Sequence, residues 1–192
     1  PLATPDTLYN FFSGSKAITA MLVHLCQERE LLHVDEPVAT FIPEFGRKRK
    51  HNITIRDVLC HRAGIPHVPP TALDLDVLND PIAIAEAIND LEPVSRPGGS
   101  PAYSAITGGF VLAEVVRRVS GKGVQEFLHD EVRVPLGMKS FAYGVPASDL
   151  MLVAEDAFTG PLPLGPPKML IEKALGFPMP ELVRLGNDPR YR

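Results

Sequence analysis

The sequence is poor in the residues that mark several protein classes. It has no tryptophan and only two cysteines, Cys26 and Cys60, among 192 residues. Two cysteines are too few for the disulfide framework of a small secreted domain. The longest uncharged apolar runs fall short of the roughly 18–20 residues that cross a bilayer. We therefore expect neither a disulfide scaffold nor a membrane-spanning helix, and the length fits about one domain.

A basic excess is also missing. The 19 lysines and arginines are outnumbered by 23 aspartates and glutamates, which gives a net charge of −4. Proteins that bind nucleic acid normally carry a basic excess or a basic stripe. The one short basic run covers residues 47–50 (RKRK), and we interpret it as a solvated loop. We expect no nucleic-acid partner.

Metal-ligand motifs are absent as well. The six histidines form no H-E-x-x-H motif and no tight cluster, so we expect no metal site. Gly98 and Gly99 are interpreted as a turn rather than a phosphate cradle, and no organic cofactor is expected. We expect His61 to be structural, hydrogen-bonding within the fold, and Cys26 to be a small buried hydrophobe. Compartment and oligomeric state stay open, although unpaired cysteines favour the cytoplasm.

What the sequence does contain is helical periodicity. Apolar residues recur at helical spacing from Ser15 to about Leu31, which predicts an amphipathic helix there. Thr54 followed by Asp57 predicts a second helix that starts at Ile53–Thr54 and ends at Gly64. Few segments are typical of strands, so we expect a mostly helical chain.

Proline and glycine divide the rest of the chain. Pro37 and Pro43 bound a short connecting segment, residues 65–81 form a proline-rich loop, and residues 97–101 (PGGSP) interrupt regular structure. One helix is predicted with Asp80 as its N-cap and Pro81 as its first residue, and it runs to about Leu91. A second covers Phe110–Val119 and ends at Ser120-Gly121, with Arg117-Arg118 on a solvated face. A third runs from about Val124 to Val132 and is stopped by Pro135, and helical patches are predicted near Lys168–Leu175 and Glu181–Leu185.

Ser13 and Lys16 form the candidate chemistry. The two residues are three positions apart at the start of the first predicted helix, which places both side chains on one face. A serine hydroxyl is a weak nucleophile until a neighbouring group takes its proton, and a partly desolvated lysine can do so. The positive end of the helix dipole favours the alkoxide that develops. Taken alone, an S-x-x-K pair also occurs by chance on solvated helices.

Several collinear segments add specificity to that pair. Residues 12–20 (FSGSKAITA) resemble the nucleophile region of the serine β-lactamase and penicillin-binding-protein superfamily. Residues 31–45, 53–66 (ITIRDVLCHRAGIP), 97–121 and 127–138 resemble, in order, the segments that follow in its class C-like and esterase branch. The resemblance covers about residues 5–145, and the chain is most similar to the family VIII carboxylesterases.

The resemblance implies an α/β fold of the β-lactamase/transpeptidase type for the whole protein. It implies that the nucleophile helix covers about residues 14–31 and a helical lobe about residues 32–192. Residues 1–192 would then be a partial domain that lacks most of the central antiparallel sheet. It also implies that Tyr103 lies beside Ser13 and Lys16 and shuttles protons. Without the resemblance, Tyr103 reads as a tyrosine at the edge of the core.

The chain departs from the family pattern in two places. β-Lactamases and peptidases of the family commonly have Y-x-N, whereas this chain has Tyr103-Ser104-Ala105 and lacks the asparagine amide. The family's third motif, K-T-G or a relative, has no match after residue 145. In the family this motif lies on a strand that usually supplies one N–H donor of the oxyanion hole, and the N–H of the nucleophilic serine, here Ser13, supplies the other. We therefore expect the chain to be an internal segment of a longer protein.

These observations predict a serine hydrolase that forms an acyl-enzyme through Ser13, with Lys16 and Tyr103 as its base system. Because an ester has a better leaving group than an amide, the missing asparagine favours a carboxylesterase acting on small or short-chain esters. One alternative is a β-lactamase or D-Ala-type peptidase that uses the same residues. The other is a non-catalytic relative that keeps the fold as a binding module. The expected partner is a small-molecule ester or a β-lactam.

Overall fold

A computed structural model describes residues 3–68, 77, 80–157, 160, 164–175, 178, 180, 187 and 188. Within those residues the regular structure is helical, and strand pairing is limited to isolated bridges between Leu8 and Val153 and between Pro37 and Thr54. The α-helices are α1 (Ser15–Glu28), α2 (Val38–Phe41), α3 (Ile55–Leu59), α4 (Pro81–Asn89), α5 (Thr107–Ser120), α6 (Val124–Leu128) and α7 (Pro166–Leu175). Shorter elements are 3₁₀ helices at Phe12–Gly14, Pro43–Gly46 and Ala147–Leu152 and a π-helical turn at His129–Arg133. No helix in the described part is long and apolar enough to cross a bilayer.

Helix α5 is the centre of the core. It contacts α1, α2, α3, α4 and α6, and α1 shares the most extensive contact with it. Val115 and Val116 of α5 are fully buried, as are Leu22, Val23 and Cys26 of α1. Full burial of a valine or leucine side chain contributes about 1.5–3 kcal/mol to folding. This packing fixes α1 against the core through its C-terminal half, and the interpretation of Cys26 as a buried hydrophobe is confirmed.

Helix α1 begins at the predicted residue and ends before the predicted one. The chain leaves the helix after Glu28 instead of about Leu31, because Glu30 adopts a left-handed conformation with φ 60°. The Leu31 N–H donates to the Cys26 carbonyl and the Glu30 N–H to the Gln27 carbonyl, a Schellman ending. Glycine usually holds the left-handed position of this motif, so a glutamate there gave no signal.

Helix α3 starts as predicted but is shorter. Thr54 and Asp57 form a reciprocal capping box, which confirms the helix start. The helix ends at Leu59, not at Gly64, because the chain turns at His61 with φ 57°. The prediction of Gly64 as the helix end was therefore wrong: Gly64, at φ 76°, belongs to the loop that follows.

The remaining boundaries agree closely with the sequence. Asp80 caps α4 by accepting from the Ile82 and Ala83 N–H groups, although the helix ends at Asn89 rather than about Leu91. Gly121, at φ 73°, ends α5 where predicted. The predicted helices from Val124 and near residues 168–175 are confirmed as α6, which continues into the π-helical turn, and as α7. The segment between the two early prolines contains α2, and the predicted patch at Glu181–Leu185 lies outside the described residues.

The basic run at residues 47–50 is not a solvated loop throughout. Lys50 is fully buried, and its Nζ donates to the carbonyl of Asn89, at 2.6 Å, and to that of Leu91. Burial lowers the pKa of Lys50 to about 8, helped by the charge of Lys48. The interpretation was wrong at this residue because the ammonium caps the C-terminus of α4, where carbonyls lack helical partners.

Candidate active site

Ser13 lies in a strained turn that leads into α1. It occupies the 3₁₀ helix Phe12–Gly14, and Phe12 before it has φ 43°, a left-handed conformation that non-glycine residues avoid. The side chain of Asn10 accepts from the Phe12 N–H at 3.1 Å, which helps to hold this conformation. Such strain costs about 1–3 kcal/mol and is common at functional sites. The turn leaves Ser13 exposed at the N-terminal end of the helix.

Lys16 follows in the first turn of α1 and reaches back towards the serine. Its Nζ is 3.5 Å from the Ser13 Oγ and donates to the main-chain carbonyl of Ala105 at 2.8 Å. The first distance is at the long end for a hydrogen bond, whereas the second is ordinary. The carbonyl of Ala105 therefore fixes the ammonium beside the serine hydroxyl.

Tyr103 completes the group from a distant part of the chain. Its hydroxyl lies 2.6 Å from the Ser13 Oγ, and either oxygen can be the donor. The Nζ of Lys16 is 5.2 Å from the centroid of the Tyr103 ring, within range of a cation–π contact. Tyr103 is 38% exposed, so the residue is open to solvent. The structure thus brings together the three residues that the sequence singled out: Ser13, Lys16 and Tyr103.

A single loop after α3 holds the chain that carries Tyr103. Residues 61–64 accept three main-chain hydrogen bonds from residues 94–102, including one from the Gly98 N–H to the Arg62 carbonyl at 2.9 Å and one from the Val94 N–H to the Gly64 carbonyl at 2.8 Å. The guanidinium of Arg62 also donates to the carbonyls of Gly98 and Gly99. These contacts confirm the turn at Gly98. They also fix the main-chain path of residues 94–102, which form no helix or strand.

Glycine is required at position 64 of this loop. Its φ of 76° is left-handed, and a Cβ there would lie 2.5 Å from the main-chain oxygen of Ser95. Main-chain atoms cannot move aside as a flexible side chain can, so any larger residue would push apart the two loop segments around residues 64 and 95. The close approach of residues 64 and 95 is thus part of how the tyrosine segment is held.

His61 contributes its side chain to the same contact. Its Nδ1 lies 2.9 Å from the Ser104 Oγ and accepts from the Ser104 N–H at 3.2 Å. Burial lowers the pKa of His61, and the nearby charge of Lys16 lowers it further. The imidazole is therefore neutral at pH 7, with Nδ1 as the acceptor and the proton on Nε2. The prediction that His61 hydrogen-bonds within the fold is confirmed.

The residue after Ser104 supplies a functional group that the sequence did not reveal. Ala105 lacks the asparagine amide of the Y-x-N pattern, yet its main-chain carbonyl is the acceptor for Lys16. Every residue carries such a carbonyl, so no residue type could have indicated it. The loss of the side-chain amide does not leave Lys16 without a partner.

The arrangement suits acyl transfer through a serine. An exposed hydroxyl contacts a phenol, an ammonium lies beside both, and the helix that starts at Ser15 directs the positive end of its dipole towards them. The described residues include no cluster of three or more histidine, cysteine, aspartate or glutamate side chains that could hold a metal ion. Both cysteines are free thiols.

Comparison with known sequences identifies the family. The sequence model named Beta-lactamase matches residues 2–170. The chain belongs to the β-lactamase family. Among curated relatives of this family, the Esterase/beta-lactamase LipL of Mycobacterium tuberculosis (strain ATCC 25618 / H37Rv) is 33% identical over 144 residues, which are 75% of this chain and 33% of that protein.

Solved structures of the family agree. EstA from Arthrobacter nitroguajacolicus Rue61a superposes with a TM-score of 0.82 at 28% identity, covering 100% of this chain and 51% of that one. A family VIII carboxylesterase superposes with a TM-score of 0.74 at 31% identity, covering 78% and 41%. The β-lactamase/transpeptidase-like fold is thereby shown. The chain spans about a third to a half of the length of these proteins.

Proposed function

We propose that this chain carries the nucleophile of a serine hydrolase, and that the whole protein is a carboxylesterase acting on small or short-chain esters. The observation that carries the proposal is the contact of 2.6 Å between the Ser13 Oγ and the Tyr103 hydroxyl, with Lys16 beside them. The names of LipL and of the two superposed structures support hydrolase chemistry at such a site.

In the proposed reaction the Ser13 Oγ attacks the ester carbonyl carbon while Tyr103 and Lys16 together take its proton. The tetrahedral intermediate then breaks its bond to the alkoxide oxygen, and Tyr103 protonates the departing alkoxide to give the alcohol. A water molecule attacks the acyl-enzyme by the reverse route and restores the free Ser13 hydroxyl. The steps need no cofactor.

The oxyanion of the intermediate needs donors of its own. We expect the Ser13 N–H to supply one and a strand outside residues 1–192 to supply the second, as the family pattern implies. Loss of one such donor typically costs about 100–1000-fold in kcat. Activity is therefore to be measured on the full-length protein that carries this segment.

Ala105 supports an ester rather than an amide as the substrate. The side-chain amide of the Y-x-N pattern would position a substrate amide, and here only a main-chain carbonyl remains, already occupied by Lys16. An alkoxide leaves more readily than an amine, so an ester depends less on this assistance. The same residues could act on a β-lactam, and the name of LipL includes both activities.

A comparison of kcat/KM on p-nitrophenyl butyrate and on the chromogenic β-lactam nitrocefin tests the choice between these substrates. The proposal expects a clear preference for the ester. A preference for nitrocefin would instead favour the β-lactamase or D-Ala-type peptidase. The Ala105→Asn variant sharpens the comparison, because restoring the amide is expected to shift the ratio towards nitrocefin.

The remaining alternative is a relative that keeps the fold as a binding module without catalysis. A fluorophosphonate probe that reacts with activated serines separates it from a hydrolase. Covalent labelling of Ser13 at a rate above that of surface serines supports the hydrolase, and the absence of labelling together with absent turnover supports the binding module.

A further inference from the structure

His61 contacts the chain on both sides of Tyr103. Its main-chain carbonyl accepts from the Ala102 N–H at 2.8 Å, and its Nδ1 accepts from the Ser104 N–H at 3.2 Å. Ala102 and Ser104 are the two neighbours of Tyr103 in the sequence. One residue therefore fixes the main chain immediately before and immediately after the tyrosine.

The imidazole also contacts the tyrosine ring itself. The two ring centroids are 4.9 Å apart, with the planes tilted by 50°, a separation typical of favourable aromatic pairs. A neutral ring suits this position because the Lys16 ammonium lies 5.2 Å from the centroid of the same phenol ring. His61 thus limits both the course of the main chain and the direction in which the Tyr103 side chain points.

The conformation of His61 is one that the structure must enforce. Its φ of 57° is left-handed, which histidine adopts several times more readily than β-branched residues but still at a cost. In this conformation the main-chain carbonyl and Nδ1 both face the segment that carries Tyr103. The strained conformation of His61 thus goes together with its hydrogen bonds to Ala102 and Ser104.

The partner of the imidazole is held equally well. Ser104 is 6% exposed, and its Oγ, 2.9 Å from Nδ1, lies against the first turn of α5. A Cβ at Gly108 would come within 2.8 Å of this oxygen, so the glycine leaves the space that the serine hydroxyl occupies. Because Nδ1 accepts from the Ser104 N–H, the hydroxyl is also a donor to the neutral ring.

We propose that His61 is a positioning residue for the hydrolytic reaction: it holds Ala102 and Ser104 so that the Tyr103 hydroxyl meets the Ser13 Oγ. This inference rests on the proposed function, in which Tyr103 transfers protons. His61 acts only through Tyr103 and does not exchange protons with the substrate. A displacement of a reacting group by about 1 Å can cost on the order of 100-fold in rate.

The test compares His61→Leu with His61→Asn in the full-length protein. Leucine keeps bulk but has no acceptor, whereas the asparagine Oδ1 can take the place of Nδ1, and asparagine tolerates a positive φ. On p-nitrophenyl butyrate we expect His61→Leu to lower kcat about 10–100-fold with little change in KM, and His61→Asn to recover most of that loss.

The same substitution in a Tyr103→Phe background separates positioning from general destabilisation. If His61 acts through Tyr103, His61→Leu costs less than about 3-fold once the phenol hydroxyl has been removed. An equal loss in both backgrounds would overturn the proposal, as would a failure of asparagine to rescue. Should His61→Leu not fold, His61→Gln replaces it, because its amide lies near Nε2 instead of Nδ1.

Hydrogen exchange gives a readout that does not depend on activity. In His61→Leu the amide of Ser104, which loses its acceptor Nδ1, is expected to exchange faster, while the amide of Ala102, whose acceptor is the main-chain carbonyl of residue 61, and those of α1 keep their protection. Unchanged exchange at the Ser104 amide would overturn the positioning role. Absence of turnover in the unmutated protein, with the exchange result as expected, would contradict the proposed function and leave the contact itself established.

Discussion

Two regions of this chain use a lysine in the same way and differ in what surrounds it. At the start of α1, Lys16 donates to the Ala105 carbonyl and its Nζ also lies 3.5 Å from an exposed serine hydroxyl. At the end of α4, Lys50 donates to the carbonyls of Asn89 and Leu91, and its side chain is fully buried. The bonds are alike, whereas the access of solvent and substrate is not.

The difference decides what each ammonium can do. Lys50 caps a helix whose last carbonyls lack partners, and it also lies over the Phe45 ring, 5.4 Å from Nζ to the centroid. Among the described residues its hydrogen bonds go to main-chain carbonyls, so we expect its contribution to be to stability. Lys16 has one carbonyl to hold it and the Ser13 hydroxyl beside it, and in the proposed function it contributes to the chemistry. A hydrogen bond from a lysine to a main-chain carbonyl therefore does not by itself indicate a catalytic role. A titratable or nucleophilic group must also lie beside the ammonium.

The largest effect is expected at the lysine beside the nucleophile. In the proposed mechanism Lys16 shares the Ser13 proton with Tyr103, so we expect Lys16→Ala to lower kcat/KM on p-nitrophenyl butyrate about 100–10,000-fold. Lys50→Met is the matched control, expected to keep the activity per folded molecule. Steady-state kinetics on both variants, with thermal melts to establish folding, check the comparison. A comparable loss of activity in folded Lys50→Met would remove the distinction between the two lysines.

The second effect concerns stability. Lys50→Met keeps the apolar stem but leaves the carbonyls of Asn89 and Leu91 without a donor, which costs about 1–3 kcal/mol for a buried group. Urea unfolding measures this loss. Lys16→Ala is expected to lower the free energy of unfolding by less, because Lys16 is only partly buried and solvent can replace it at Ala105. The opposite ranking would contradict the structural role of Lys50.

A pH dependence follows from the burial of Lys50. Its folded pKa of about 8 lies below the ordinary value of 10.5, so between these values the unfolded chain binds more protons than the folded one. The free energy of unfolding that Lys50 contributes therefore rises as the pH increases from about 8 to 10.5. Urea titrations of the unmutated protein and Lys50→Met at pH 7.5 and 9.5 are expected to show a larger difference at the higher pH. A difference that shrinks with pH would show the opposite shift.

The smallest effect is expected at an exposed member of the same basic run. Lys48 is exposed and has φ 54°, which asparagine tolerates, so Lys48→Asn is expected to change the free energy of unfolding by less than about 0.5 kcal/mol. Urea unfolding in parallel with Lys50→Met tests whether burial, rather than charge, separates two lysines two positions apart. A loss as large as that of Lys50→Met would mean that the run acts as a unit.

Sequence could predict the features that depend on neighbours in the chain. The spacing of Ser13 and Lys16, the capping box at Thr54 and the N-cap at Asp80 are local, and the structure contains each of them. Tyr103 lies 90 positions from Ser13, so only the family resemblance could place it beside the serine.

Long-range packing explains what the sequence did not reveal. In the sequence, Lys50 cannot be distinguished from its exposed neighbours. Only the packing of the C-terminal end of α4 against it brings the Asn89 carbonyl within reach of its Nζ. The acceptor for Lys16 is a main-chain atom of Ala105, and the early end of α1 depends on a left-handed Glu30. None of these follows from residue type, because each depends on where a distant segment or an unusual backbone angle places a common group.

The most direct test of the account is covalent labelling of Ser13. The full-length protein and its Ser13→Ala variant would be treated with a fluorophosphonate probe, followed by intact mass and peptide mapping and by turnover of p-nitrophenyl butyrate. We expect one probe mass on Ser13 of the unmutated protein, none on the variant, and turnover that falls by several orders of magnitude with the substitution. Turnover and labelling that persist in Ser13→Ala, or are absent from the unmutated protein, would contradict the central claim that Ser13 is an activated nucleophile.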